Sequence, residues 1–136
     1  MKKMLIIAVF ILSCIPSYAY QAGDVVDGRW VYVYGDDRNG RWFIDRNTIS
    51  SNSYWMKVSP LPEETKRNHP NAGFALLRFS LNCTNYSKRL ERGIFYSKNN
   101  EVIDSYTAPP SAHYEYAVPG SVDESEIKDI CTVTRK

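Results

Sequence analysis

The cysteine pattern constrains the fold of this chain more than any other feature of its sequence. The chain holds three cysteines, and one of them, Cys14, lies in an apolar N-terminal run. If that run is removed on export, Cys83 and Cys131 remain as an isolated pair in an oxidising compartment, where such a pair typically forms a disulfide. Closing a loop of this length should stabilise the fold by about 4 kcal/mol on the chain-entropy argument. Two free buried thiols are the alternative.

Residues 1–19 have the organisation of a secretory signal peptide, with a positively charged start, an apolar run and small residues before a cut after Ala19. The apolar run is too short to span a bilayer, and no other stretch of the sequence is apolar enough to do so. We therefore predict an exported protein of the periplasm or cell surface, with one domain over residues 20–136. The alternative is an imperfect lipobox ending at Cys14, which would anchor the protein to a membrane through lipid.

Removal of the leader changes the charge of the chain. The full sequence has 17 basic and 15 acidic residues, but two of the lysines lie in the leader, so the remaining chain is formally neutral. A neutral domain has no general electrostatic attraction to nucleic acid or to anionic lipid. About 117 residues remain, which suits a single domain with one core. We therefore expect a protein partner rather than a nucleic acid.

Most of the mature chain has the composition or the alternating pattern of strands. The predicted strands cover residues 30–34, 41–45, 54–58, 74–83, 88–96 and 101–106. In the fourth strand, alternate apolar residues lead to Cys83, so one face of that strand is expected to be buried. The proline-containing segment 59–73 is predicted to be a mobile excursion between strands, in which a short helical turn around residues 63–66 is an option.

The C-terminal segment predicts a short helix with a well-defined start. Ser121 is a favourable N-cap, and Glu124 stands where it can complete a capping box with the N–H of Ser121. Ile127, Ile130 and Cys131 share one face of this helix, which is too short to persist alone in water. The sequence therefore predicts an α+β fold: a single antiparallel sheet of about six strands, with the C-terminal helix packed on one face and tied by a disulfide.

Catalytic and metal-binding motifs are not evident in the sequence. His69 lies in the proline-containing segment and His113 in the linker before the helix, and no nucleophile motif accompanies either of them. Asp36 and Asp37 precede a glycine, as in some calcium loops, but the remaining ligand spacing is missing and a hairpin turn accounts for them. We predict that the protein is not an enzyme and that it needs no cofactor or metal.

Exposed basic and aromatic residues are the best candidates for contacts with a partner, because they are not needed for the core. The basic strand contributes Lys88, Arg89 and Arg92, and the linker contributes Tyr114 and Tyr116. Aromatic and arginine side chains are enriched in protein interfaces. The alternative is a solvated strand face without a binding role.

Several short segments then occur in a particular order along the mature chain. They are the opening strand at Trp30, Ile44-Asp45 with Asn47-Thr48-Ile49, Asn82-Cys83, Tyr96 before Val102-Ile103-Asp104-Ser105, and Pro119-Gly120-Ser121 ahead of Glu126 and Cys131. In this order the chain resembles the surface-adhesin protein E family of Gram-negative bacteria. The resemblance implies a sheet of about six strands and a C-terminal helix, joined through the cysteines that match Cys83 and Cys131.

The same resemblance implies a function. Better-known members of that family are outer-membrane lipoproteins, so we expect a non-enzymatic envelope protein that acts as an adhesin-like binding module for host matrix or serum proteins. A homodimer is a further expectation from the resemblance. The alternative is a periplasmic accessory, inhibitor or immunity-type protein that binds another bacterial protein, since a small neutral domain would serve either role.

Overall fold

The protein folds as one antiparallel sheet with two helices; the structure is a computed structural model that describes residues 20–134. The strands are β1 Val25–Val26, β2 Trp30–Asp36, β3 Gly40–Asp45, β4 Ser53–Val58, β5 Ala72–Asn82, β6 Ser87–Ser97, β7 Val102–Thr107 and β8 Glu115–Tyr116. The helices are α1 Glu63–Asn68 and α2 Val122–Thr134. The predicted fold class is confirmed, and two strands of only two residues raise the count to eight. The predicted signal peptide and Cys14 lie outside the described residues.

The strands follow one another across the sheet in chain order from β1 to β7, and β8 pairs with the start of β6. Every pairing in the described sheet is antiparallel; short hairpin turns join several neighbouring strands, whereas a longer segment that contains α1 connects β4 to β5. In the turn between β2 and β3, the Asp36 carboxylate accepts hydrogen bonds from the N–H groups of Arg38 and Asn39, at 2.9 and 2.7 Å. Gly35 has a φ of 120°, and a Cβ there would run into the carbonyl oxygen of Gly40. This turn therefore requires glycine at position 35.

One face of the sheet, which we call the inner face, carries the core. Its buried side chains include Tyr54 and Met56 of β4 and Phe79 and Leu81 of β5, and they pack with the apolar side of α2. On α2 that side consists of Ile127, Ile130 and Cys131. Burying apolar side chains of this size contributes about 1.5–3 kcal/mol each. The predicted buried face of β5 and the predicted apolar face of the helix are therefore confirmed.

The disulfide between Cys83 and Cys131 joins the end of β5 to the inner side of α2. The two Cα atoms lie 5.7 Å apart across a sequence separation of 48 residues. Because α2 is short, this covalent link fixes it on the inner face. The predicted cysteine pairing is confirmed.

The start of α2 differs in one detail from the predicted capping box. Ser121 Oγ accepts a hydrogen bond from the N–H of Glu124 at 3.2 Å, as an N-cap should. Glu124 Oε1, however, accepts from the N–H of Gly120 at 3.4 Å instead of from that of Ser121. The N–H of Ser121 already donates to the carbonyl oxygen of Val118 in the preceding turn. The reciprocal bond is therefore displaced by one residue.

Residues 59–73, predicted to be a mobile excursion, pack against the inner face at the end away from α2. Leu61 is only 2% exposed and forms a second apolar cluster with Val58, Ala72 and Ala75. The segment also contains α1, so the optional helical turn is confirmed. This apolar cluster, together with backbone hydrogen bonds to β3, thus attaches the segment to the sheet, and both ends of the inner face are covered.

Candidate binding surface

The opposite face of the sheet, which we call the outer face, has no helix packed on it in the described part of the chain. Side chains alternate between the two faces of a strand, so Trp55 and Lys57 of β4 lie opposite the core residues of that strand. The same alternation places Phe74 and Arg78 of β5 on the outer face. Except at β2 and β3, where Tyr20 packs on two buried aromatic rings, this face is where the fold leaves large side chains partly accessible to a partner.

Aromatic rings and one ammonium group form a row across the outer face, which we call the aromatic row. The Nζ atom of Lys57 lies 5.6 Å from the ring centroid of Trp30 and 5.0 Å from that of Phe74. The rings of Phe74 and Tyr96 stack with centroids 4.8 Å apart. Cation–π contacts of this kind hold an ammonium group over a ring face. The row therefore connects β2, β4, β5 and β6 into one ordered surface.

Two arginines stand directly opposite each other beside this row, and we call them the arginine pair. Arg78 of β5 is the register partner of Arg92 of β6, and Trp55 is the partner of Arg78 on the other side. Both arginines are exposed. Among residues 20–134, no carboxylate lies within ion-pair distance of either arginine. Like charges directly opposite each other destabilise a sheet, by roughly 0.2–1 kcal/mol. The two arginines therefore form no direct ion pair, although the charge of Arg78 acts on the nearby Glu91 carboxylate and helps to lower its pKa.

Arg89 lies at the border of the outer face and is held in place by the chain around it. Its guanidinium lies 5.4 Å from the ring centroid of Tyr114 and donates a hydrogen bond to the carbonyl oxygen of Ala112 at 3.1 Å. Its Nε donates to Glu91 Oε1 at 2.7 Å, which also accepts from Ser80 Oγ. These two hydrogen bonds, from Ser80 and then from Arg89, lower the pKa of the Glu91 carboxyl. Arg89 and Tyr114 therefore form one preorganised unit.

Lys88 points in the opposite direction, toward α2. Its Nζ atom lies 3.0 Å from Asp123 Oδ1 and 3.5 Å from Glu126 Oε2, and also 4.5 Å from the ring centroid of Phe79. The side chain of Lys88 is 17% exposed and that of Glu126 is 1% exposed. The exposure that the sequence predicts for Lys88 is therefore wrong, because strand alternation places it on the inner face.

The buried carboxylate beneath α2 is surrounded by polar groups of the core. Tyr54 donates its hydroxyl hydrogen to Glu126 Oε2 at 3.4 Å. Burial raises the pKa of Glu126, and the charge of Lys88 acts in the opposite direction. Burial also raises the pKa of Tyr54 far above its ordinary value, and the Glu126 charge adds to this effect. Tyr54 therefore remains a protonated donor to the carboxylate.

The remaining predicted contact residues lie at the surface. Arg92, Tyr114 and Tyr116 are exposed, and Tyr116 on β8 is 72% exposed. The structure brings Arg89 together with Tyr114 and brings Arg92 together with Arg78. It places Tyr116 opposite Ser87 at the start of β6. Whether these residues contact a partner remains a prediction.

The described residues contain no group of three or more histidine, cysteine, aspartate or glutamate side chains placed to hold a metal ion. His69 stacks on Phe95 with ring centroids 4.4 Å apart, so it has a packing role. Within residues 20–134 no helix has the length and apolar character needed to cross a membrane.

A family model described as surface-adhesin protein E matches residues 30–132, which include most of the sheet, both cysteines of the disulfide and most of α2. The chain belongs to the surface-adhesin protein E family. A solved structure, crystal form II of Haemophilus influenzae protein E, has a similar fold with a TM-score of 0.51. The two are 18% identical, and the match covers 89% of this chain and 100% of that one. No curated protein matches the chain significantly.

Membership of the surface-adhesin protein E family supports an adhesin-type role for an exported protein. The low identity to Haemophilus influenzae protein E restricts that comparison to the fold.

Sequence reasoning missed the part of the candidate surface formed by Trp30, Trp55, Lys57, Phe74 and Arg78. The available signal was the alternation of Trp55 and Lys57 with apolar residues in one strand, which separates them from the core.

Proposed function

We propose that the protein is a non-enzymatic binding module of the cell envelope, which binds a host matrix or serum protein through the outer face of its sheet. Membership of the surface-adhesin protein E family supports the class of function. The observation that carries the choice of surface is the arginine pair, two exposed guanidinium groups that form no direct ion pair within residues 20–134, on a face that no described helix covers.

The arginine pair suits an acidic site on a protein partner. A guanidinium group binds a carboxylate through two parallel hydrogen bonds, and hydrogen bonds to charged groups are among the strongest in proteins. A carboxylate placed between Arg78 and Arg92 would also relieve the repulsion between them. Trp55 lies beside Arg78, and tryptophan and arginine are enriched among the residues that dominate binding energy.

The preorganised residues around the pair favour the same surface. Lys57 and Phe74 are already held by ring contacts, and Arg89 is held by Tyr114 and Glu91, so little side-chain entropy is lost when a partner binds. We propose Arg89, Arg92, Tyr114 and Tyr116 as contacts, as the sequence predicts, together with Arg78.

The test begins with capture on immobilised residues 20–136, using host matrix and serum proteins in one arm and the organism's own envelope extract in the other. The captured partner is then titrated by surface plasmon resonance against wild type and the double variant Arg78→Glu, Arg92→Glu. We expect the variant to bind at least about tenfold more weakly, because each lost charged hydrogen bond is worth about 1.5–3 kcal/mol. Association should also slow most at low salt.

The matched control reverses two exposed basic residues of α1, Lys66→Glu and Arg67→Glu, which changes the net charge equally but lies away from the outer face. Equal affinities and equal salt dependence for the two double variants would exclude the arginine pair as the site. Capture from the envelope extract alone would instead favour the periplasmic accessory role. Protease treatment of whole cells separates surface display from a periplasmic location.

A further inference from the structure

A cleft of about 530 Å³ lies between α2 and the strands β2 and β3. Its walls are mostly apolar, with Val31 and Val33 from β2 and Ile44 from β3, while Ser125, Glu126 and Asp129 of α2 contribute its polar groups. Sites for small molecules commonly have volumes of about 300–1,000 Å³, apolar walls and a few polar groups that orient the ligand. The cleft has these features and is separate from the outer face.

The polar group that distinguishes this cleft is Glu126. Its Oε2 atom contacts Lys88 and Tyr54 on the side of the core. Its Oε1 atom is buried and has no hydrogen-bond partner among the described residues. Buried polar atoms almost always have a partner, and a charged oxygen without one is costly. Because Glu126 lines the cleft, this buried oxygen is the acceptor there that still lacks a donor.

The charges around the cleft favour a positively charged donor. Among residues 20–134, no lysine or arginine lines it, whereas Glu126 and the exposed Asp129 both do. Behind the cleft, the single ammonium group of Lys88 is shared between Asp123 and Glu126. Carboxylates thus outnumber cations at this position, and an ammonium group entering the cleft would meet a net negative field.

We propose that the cleft binds a small amine, whose apolar body lies against β2 and β3 and whose ammonium group donates to Glu126 Oε1. The inference rests on the geometry of α2 and the inner face and is independent of the proposed function.

The experiment is an amide chemical-shift titration of residues 20–136, with the disulfide intact, using 4-phenylbutylamine as the probe. The acid of the same shape, 4-phenylbutanoate, is the charge control. We expect the amine to shift the amides of β2, β3 and α2, and the acid to leave them unchanged. Glu126→Gln should weaken binding of the amine at least about tenfold, since the substitution replaces a charged acceptor by a neutral one. Glu101→Gln, an exposed position between β6 and β7 that is outside the cleft lining, should leave the affinity for the amine unchanged.

A second variant, Ser125→Trp, places an indole at the rim of the cleft from an exposed position and so spares the core. It should abolish the shifts while the melting temperature stays near that of wild type. Equal shifts with the amine and the acid, unchanged affinity in Glu126→Gln, or unchanged shifts in Ser125→Trp would each overturn the proposal.

Discussion

Reversing the charge at Lys88 tests whether this lysine belongs to the core, as the structure shows, or to a solvated face. Lys88→Glu would remove the cation from Glu126, whose side chain is only 1% exposed, and would place a second carboxylate beside it. Breaking a buried ion pair typically costs about 3–5 kcal/mol. Asp123 is half exposed, so water screens its repulsion with the new carboxylate at position 88 and we add no further cost for it. We expect a loss of about 4 kcal/mol, a large part of the roughly 5–15 kcal/mol of a small domain.

The measurement is urea unfolding of residues 20–136 at neutral pH, with the disulfide intact. Lys98→Glu is the matched control, because it makes the same charge change at an exposed position directly after the same strand. The control should change the free energy of unfolding by less than about 0.5 kcal/mol. If the two variants unfold within about 1 kcal/mol of each other, Lys88 is not part of the core.

The pH dependence of Lys88→Met gives a second test of the same contact. Burial raises the folded-state pKa of Glu126 above the ordinary value of a glutamate, and removing Lys88 should raise it further. When the pKa of a carboxyl is higher in the folded than in the unfolded protein, the fold loses stability as pH rises from the unfolded-state pKa to the folded-state pKa. This loss is absent at pH values below the unfolded-state pKa. The stability difference between wild type and Lys88→Met should therefore be smaller at about pH 4 than at pH 7. A difference that does not change with pH would refute the argument.

Three further predictions concern the tether, the turn after β3 and the leader. Cys131→Ser should lower the free energy of unfolding by about 4 kcal/mol, and an unchanged melting curve without reductant would contradict this. Arg29 donates two hydrogen bonds to Asp45, at 2.9 and 2.6 Å. Burial alone would raise the Asp45 pKa, but Arg29 and the N–H of Asn47 act together with other contacts to lower it. Asp45→Asn should therefore flatten the loss of stability as pH falls through that pKa. Mass spectrometry should find a mature N-terminus at Tyr20; lipid-modified Cys14 would contradict it.

Much of the fold could be predicted because burial on one face imposes a period of two on strands and a period near 3.6 on the helix. Alternate residues of β5 and the apolar face of α2 carried that signal directly. The packing of residues 59–73 could not be predicted, because the apolar contact of its proline-rich start depends on one leucine, Leu61, among prolines and charges. A single apolar residue has no periodicity to detect.

The candidate surface was harder to predict because it depends on register. Arg89 and Arg92 are three residues apart, so simple alternation would place them on opposite faces. The register between β5 and β6 shifts at Arg78 and Phe79, and Glu91 is the extra residue. This bulge returns Arg89 and Arg92 to the same face and leaves Lys88 on the other. Bulges of this kind follow from pairing between distant strands, which a local sequence pattern does not encode.

The separation of the sheet into a covered inner face and an open outer face also affects how such a protein can evolve. The inner face holds the core, the disulfide and the ion pair of Lys88, so substitutions there are selected against through loss of folding. Exposed outer positions such as Arg78 and Arg92 carry little of the folding free energy, so they can drift or be selected for new partners. We therefore expect lineages of this family to diverge fastest on the outer face and to differ in the partners they bind.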